Sequence, residues 1–139
     1  MAGYSDTPLI QKLGIKPGTA LTVINQPAHY AKLIGRLPEG VRLETGLKRA
    51  CQFVHLFTRD RDELKKYLAR LRFTLAETGT VWISWTKKSS GVETSVTENV
   101  TRDLALPLGF VDTKVCAVDE TWSGLKLMIR RANRKTAKK

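Results

Sequence analysis

Apolar residues come in short runs set off by glycine, proline and small polar residues, and their spacing changes from run to run. Leu9, Ile10 and Leu13 mark one face of a short helix, with Thr7 as cap, Pro8 at the first helical position and Gly14 as stop. After the Lys16-Pro17-Gly18 turn, Leu21-Thr-Val-Ile-Asn25 is nearly all apolar and β-branched, which suits a strand buried on both faces. Gln26-Pro27 ends it, and Ala28 to Ile34 reads as two helical turns with Tyr30, Leu33 and Ile34 inward and Gly35 as stop. Val41 to Glu44 alternates like a short strand near a sheet edge, and a linker through Gly46 carries Lys48 and Arg49. Cys51-Gln-Phe-Val-His-Leu-Phe57 is the third strand.

The clearest helix follows. Asp60 and Glu63 have capping-box spacing, and Leu64, Leu68, Leu71 and Leu75 recur at helical intervals before Gly79. Val81 to Trp85 is the fourth strand, which leaves on Thr86-Lys-Lys-Ser-Ser-Gly91. Ser95 and Glu98 repeat the capping-box spacing ahead of Val96, Val100 and Leu104, with Pro107 and Gly109 ending that helix. Phe110 to Val118 and Leu125 to Ile129 are the last two strands. The six residues from Asp119 to Gly124 are too few for a crossover helix, so these strands form an antiparallel hairpin. The pattern predicts one α/β domain, a three-layer Rossmann-like arrangement covered on both sides, over residues 1–129. Its mostly parallel six-stranded sheet has the order 2-1-3-4-6-5, the last strand antiparallel.

Composition narrows the class. The chain has 139 residues, 42% of them hydrophobic, which is enough for a core and too much for a disordered segment. No apolar run approaches the ~20 residues of a membrane span, and the N-terminus lacks the basic and apolar regions of a signal peptide. Cys51 and Cys116 sit in apolar runs without metal-like spacing, as small buried hydrophobes of a reduced, cytoplasmic protein. The net charge is +11, and Arg130, Arg131, Arg134, Lys135, Lys138 and Lys139 supply six of those charges in the last ten residues. Residues 130–139 are expected to be a disordered, solvated tail. Sequence-blind nucleic-acid binding through it is the disfavoured alternative, since the tail has no aromatic residue for base stacking.

Two resemblances add to this reading. Parallel strands closing in an antiparallel hairpin resemble the class I S-adenosylmethionine-dependent methyltransferase fold. Leu75-Ala-Glu-Thr-Gly-Thr-Val-Trp-Ile83 is similar to that superfamily's Leu-x-Pro-Gly-Gly turn into a buried strand. The resemblance implies a glycine-rich loop after the first strand, where this chain instead has Val23-Ile-Asn-Gln-Pro-Ala-His29, without glycine. Glu44, at the end of the second strand, stands where such a fold places a ribose-binding carboxylate. The expectation is therefore no cofactor, with S-adenosylmethionine the disfavoured alternative. The second resemblance is to a family of short, stand-alone bacterial proteins classed as a domain of unknown function. It is carried by Ala2-Gly-Tyr-Ser-Asp-Thr-Pro-Leu9, Lys12-Leu-Gly-Ile-Lys-Pro-Gly18, Trp85-Thr-Lys-Lys-Ser89 and Val115-Cys-Ala-Val-Asp-Glu-Thr-Trp-Ser-Gly-Leu-Lys-Leu127. It implies no particular activity, cofactor or partner.

In open α/β sheets ligands bind beyond the carboxyl ends of the strands. That places Asn25 and Gln26, Glu44, Thr58 and Arg59, and Trp85, Lys87, Lys88 and Ser89 on one candidate binding edge. Lysines with hydroxyls at a strand end suit a phosphate or carboxylate, and a solvated loop is the equal alternative. Asp119, Glu120 and Trp122 read as a turn with a packed Trp, although paired carboxylates can act as acid and base. His55, in mid-strand, reads as a hydrogen-bonded interior residue. His29 sits near the edge without a nucleophile partner in the sequence. Tyr4, Ser5 and Asp6 read as the cap region of the first helix. No metal site is expected. The functional expectation is a non-catalytic, methyltransferase-like domain that binds a small anionic ligand or a protein partner at this edge. The alternative is a methyltransferase with an atypical cofactor loop.

Overall fold

A computed structural model describes residues 8–47 and 50–131. Its helices are α1 (Leu9–Leu13), α2 (Tyr30–Ile34), α3 (Arg61–Thr74) and α4 (Glu98–Ala105). Its strands are β1 (Ala20–Ile24), β2 (Arg42–Glu44), β3 (Cys51–Phe57), β4 (Leu75–Thr86), β5 (Phe110–Ala117) and β6 (Trp122–Ile129). They form one six-stranded sheet in the order β2-β1-β3-β4-β6-β5, as the hydrophobic pattern requires. The pairs β1–β2, β1–β3 and β3–β4 are parallel, while β6 runs antiparallel to both β4 and β5.

Side-chain alternation divides the core by sheet face. On one side Ile24, Val54, Leu56, Val81, Ile83 and Trp85 meet Leu64, Leu68 and Leu71 of α3 and Ala105 of α4. On the other, Leu21, Val23, Phe53, Phe57 and Trp82 meet Leu9 and Leu13 of α1 and Tyr30 and Ile34 of α2. Trp82 Nε1 donates to the Leu13 carbonyl at 2.9 Å, so the largest buried side chain also anchors α1.

Several local expectations are corrected by tertiary contacts. The helix through Leu75 to Gly79 stops at Thr74. Leu75 instead pairs with Cys51, and the ladder slips before Thr80 pairs with Phe53. Gly79 is not a helix stop; a Cβ there would lie 2.9 Å from both the Cys51 carbonyl oxygen and Leu75 Cδ1. The close approach of β3 and β4 requires glycine. Pro8 is the N-cap of α1 rather than its first residue, while Thr7 and the Tyr4-Ser5-Asp6 segment lie outside the described residues. The helix expected from Ala28 starts at Tyr30.

Asp60 does cap α3, accepting from Glu63 N at 3.0 Å, but the Glu63 side chain does not return to close a capping box. Thr97 caps α4 in place of Ser95, whose hydroxyl accepts from Arg61 N at 2.8 Å and so serves α3. Glu98 pairs with Arg102 one helical turn on. The sheet is not evenly covered, because the described part of the β2–β3 connection holds no helix. Lys48 and Arg49 of that connection lie outside the described residues, as do Arg134, Lys135, Lys138 and Lys139 of the tail. Arg130 and Arg131 are exposed, and Arg130 N donates to the Gly109 carbonyl at 2.8 Å.

Candidate functional site at the carboxyl edge

The sheet order reverses between β1 and β3, the place where such folds open a crevice. Here that crevice is bridged. Asn25 leaves β1 in a left-handed conformation, φ +58°, which asparagine tolerates better than other side chains that carry a Cβ. Asn25 Nδ2 donates to the Phe57 carbonyl at 3.0 Å and to Glu63 Oε1 at 3.1 Å. The same carboxylate oxygen accepts from Thr58 Oγ1 at 2.7 Å. Glu63 therefore ties the exits of β1 and β3 to the first turn of α3, and this is why it is unavailable for a capping box. Asn25 supplies the backbone turn that a glycine would allow, but its side chain occupies the space a glycine would leave.

Beside this bridge lies a cavity of about 380 Å³ lined by Val23, Ile24, Asn25, Gln26, Thr45, Gly46, Leu47, Tyr67 and Arg70. It lies against the described part of the β2–β3 connection, which holds no helix. Among the described residues Arg70 is its only formally charged lining residue, with its guanidinium 5.9 Å from the Tyr67 ring centre. Glu44 ends β2 opposite Thr22, one residue before the Thr45 lining. Arg59 faces away from this cavity, donating through Nη1 to the Glu93 carbonyl at 3.5 Å and lining a second hollow with Asp60, Thr94 and Ser95.

The exit of β4 is two strands from Asn25. Trp85 is 6% exposed and belongs to the core under α3 and α4. Lys87 N donates to the Thr121 carbonyl at 2.8 Å, and Ser90 Oγ to the Lys87 carbonyl at 2.6 Å, shaping a 3-10 turn over Lys88–Ser90. Lys88 and Ser89 are exposed on this turn. The structure thus joins Asn25 with Thr58, places Gln26 at the cavity, and sets Arg59 and the lysine turn on separate parts of the edge.

Two arrangements had no mark in the sequence. His29 Nε2 lies 3.1 Å from Asp119 Oδ2, joining the β1–α2 loop to the β5–β6 turn. Asp119 Oδ1 accepts from Thr121 N at 2.8 Å and Trp122 N at 2.7 Å. Ninety positions separate the pair, so no local spacing could show it. Tyr67 and Arg70 likewise sit off the leucine stripe of α3, where solvent-facing residues look alike.

Below the edge, His55 is fully buried between Tyr30 Oη, 3.1 Å from Nδ1, and Ser84 Oγ, 2.8 Å from Nε2. Burial pushes the His55 pKa down to about 3 and raises that of the Tyr30 hydroxyl above its usual value. Phe57 packs edge-on against Trp122 with ring centres 5.0 Å apart, extending this cluster to the hairpin. Cys51, buried, and Cys116, half-buried, form no disulfide with each other, and burial raises the Cys116 pKa against the opposing pull of Lys12, Lys114 and Lys87.

No family model matches the chain, and no curated protein does. Solved structures do match. A SAM dependent methyltransferase from Aquifex aeolicus aligns at a TM-score of 0.60 and 14% identity, covering 87% of this chain and 87% of its own. Fibrillarin from Aeropyrum pernix, solved with natively bound S-adenosyl-L-methionine, aligns at 0.55 and 12%, covering 86% of this chain and 73% of its own. At such identities the likeness is one of fold. This is a class I methyltransferase-like α/β domain.

Proposed function

We propose that this domain binds a small anionic ligand at the carboxyl edge of its sheet, without the methyl-transfer chemistry of its fold relatives. The supporting observation is the cavity of about 380 Å³ beside β1, which is within the size range of small-molecule sites and has Arg70 as the one formally charged side chain among its described lining residues. Gln26 supplies an amide donor and acceptor, and Tyr67 supplies a ring face, while both Asn25 amide protons are held in the bridge to Phe57 and Glu63. The turn with half-buried Lys87 and exposed Lys88 and Ser89 offers a second place for negative charge on the same edge. We read the chain as a cytoplasmic member of the short bacterial family whose motifs it carries. No helix among the described residues is long and apolar enough to cross a membrane.

Thermal-shift screening of nucleotides and acidic metabolites, followed by calorimetry, tests this reading. For a hit, Arg70→Ala should weaken binding about tenfold or more, as expected for loss of a charge-assisted hydrogen bond. Lys87→Ala with Lys88→Ala reports whether the lysine turn takes part. A panel without a hit, or hits indifferent to all three changes, refutes the proposal. The second reading, an S-adenosylmethionine-dependent methyltransferase, is supported by the fold and by Glu44 next to the cavity lining. Calorimetry with S-adenosylmethionine separates the two, since heat of binding that Asn25→Leu or Glu44→Gln abolishes would favour the cofactor.

A further inference from the structure

We propose that His29 and Asp119 form a carboxylate–imidazole dyad that accepts a proton from a hydroxyl or amine group of the molecule bound at the carboxyl edge. The proposal rests on the reading of that edge as a ligand face and adds a proton-transfer role to it. Asp119 is held from both sides. One carboxylate oxygen accepts from the backbone N–H groups of Thr121 and Trp122, and the other lies 3.1 Å from His29 Nε2. Its side chain is only 18% exposed, whereas the imidazole is 49% exposed.

A carboxylate can only accept, so the contact places the imidazole proton on Nε2 and leaves Nδ1 with the lone pair. Nδ1 has no hydrogen-bond partner among the described residues. The two backbone hydrogen bonds of the turn hold the carboxylate, and its contact with the half-exposed imidazole adds little to stability, about 1 kcal/mol or less. The arrangement does orient an imidazole, and Asp119 stabilises the imidazolium formed on protonation. The step is balanced as it stands: the ligand's O–H or N–H bond breaks, its proton goes to Nδ1, and the ligand keeps the electron pair. Asp119 is the positioning residue, and His29 accepts the proton.

The chain has two histidines and the other, His55, is fully buried, so reactivity at an exposed imidazole belongs to His29. p-Nitrophenyl acetate is the probe. Attack by Nδ1 forms an N–C bond and releases p-nitrophenolate, the Nε2 proton leaves to give the neutral acyl-imidazole, and water then cleaves this to acetate and a second proton, restoring the imidazole. The full chain should react faster than a free imidazole model. His29→Gln should remove most of the excess, and Asp119→Asn should lower it about tenfold, as expected for loss of one charge-assisted hydrogen bond to the imidazole. Long-range nitrogen NMR should find the neutral His29 protonated on Nε2.

A rate in His29→Gln equal to wild type overturns the proposal. So does an Asp119→Asn rate at or above wild type, and a lowered thermal midpoint with unchanged reactivity would make the pair a fold latch only. The assay needs no ligand in the cavity, so its failure and failure of the Arg70 binding test are read separately.

Discussion

The side of the sheet under α3 and α4 is packed almost wholly with Leu, Val and Ile, with Trp85, Phe110 and Cys51 among them. The opposite side, under α1 and α2, holds Tyr30, Phe53, Phe57 and Trp82 together with a hydrogen-bonded His55 and Ser84. The first is held by shape and apolar area. The second must also keep polar atoms partnered, because an unpaired donor or acceptor loses its water without replacement. It is this polar side that lies beneath the β1 exit and the hairpin, and through Phe57 and Trp122 it supports the turn that carries Asp119. The apolar side secures the fold, while the aromatic and polar side fixes the geometry of the edge.

Three measurements test that contrast. The largest effect is expected from Leu68→Ala, a fully buried residue of α3 facing the apolar side. Urea unfolding should show a loss of about 2–5 kcal/mol with little dependence on pH. If that loss falls below the cost of any single change on the polar side, the division of labour is wrong.

Between pH 7 and pH 4.5 acid should act chiefly on the polar side, through His55. Unfolded His55 takes a proton near pH 6.5, whereas in the fold burial holds its pKa down at about 3. Between those values the unfolded chain binds the extra proton, so stability is full above pH 6.5 and falls as the pH is lowered. The His55 contribution approaches roughly 1.4 kcal/mol per pH unit within that window. Unfolding free energies at pH 7 and pH 4.5 measure it, and His55→Leu should flatten the dependence. An unchanged slope in that variant would assign the acid sensitivity to other groups.

The smallest effect is expected from Tyr30→Phe. It removes one hydroxyl partner of His55 and leaves the ring packing in place, at a cost of about 1 kcal/mol. No change at all would mean that His55 Nδ1 finds another partner, and that the polar cluster is less closely specified than its hydrogen bonds indicate.

Much of the fold was legible in the order of short apolar runs. β1, β3 and the hairpin strands are β-branched or aromatic segments bounded by breakers, and right-handed crossovers leave few arrangements for them. The β3 bounds and the full strand order follow from that pattern. The end of α3 does not, since Leu75 satisfies the helical period as well as the strand pairing it adopts with Cys51. Glu63 and Ser95 were misread for a similar reason. Capping spacing is local, and each side chain found a tertiary partner instead.

The candidate edge was legible as a list of strand ends, because chain direction alone decides which residues leave a parallel sheet on the same side. Periodicity by itself determined the class of fold, the order of its strands and which residues leave the sheet at its carboxyl edge. Only tertiary structure decided what that face contains. The Asn25–Glu63–Thr58 bridge, the cavity beside Arg70 and the His29–Asp119 pair all join residues from different elements. Their partners are chosen by distance in space, which no spacing along the chain encodes.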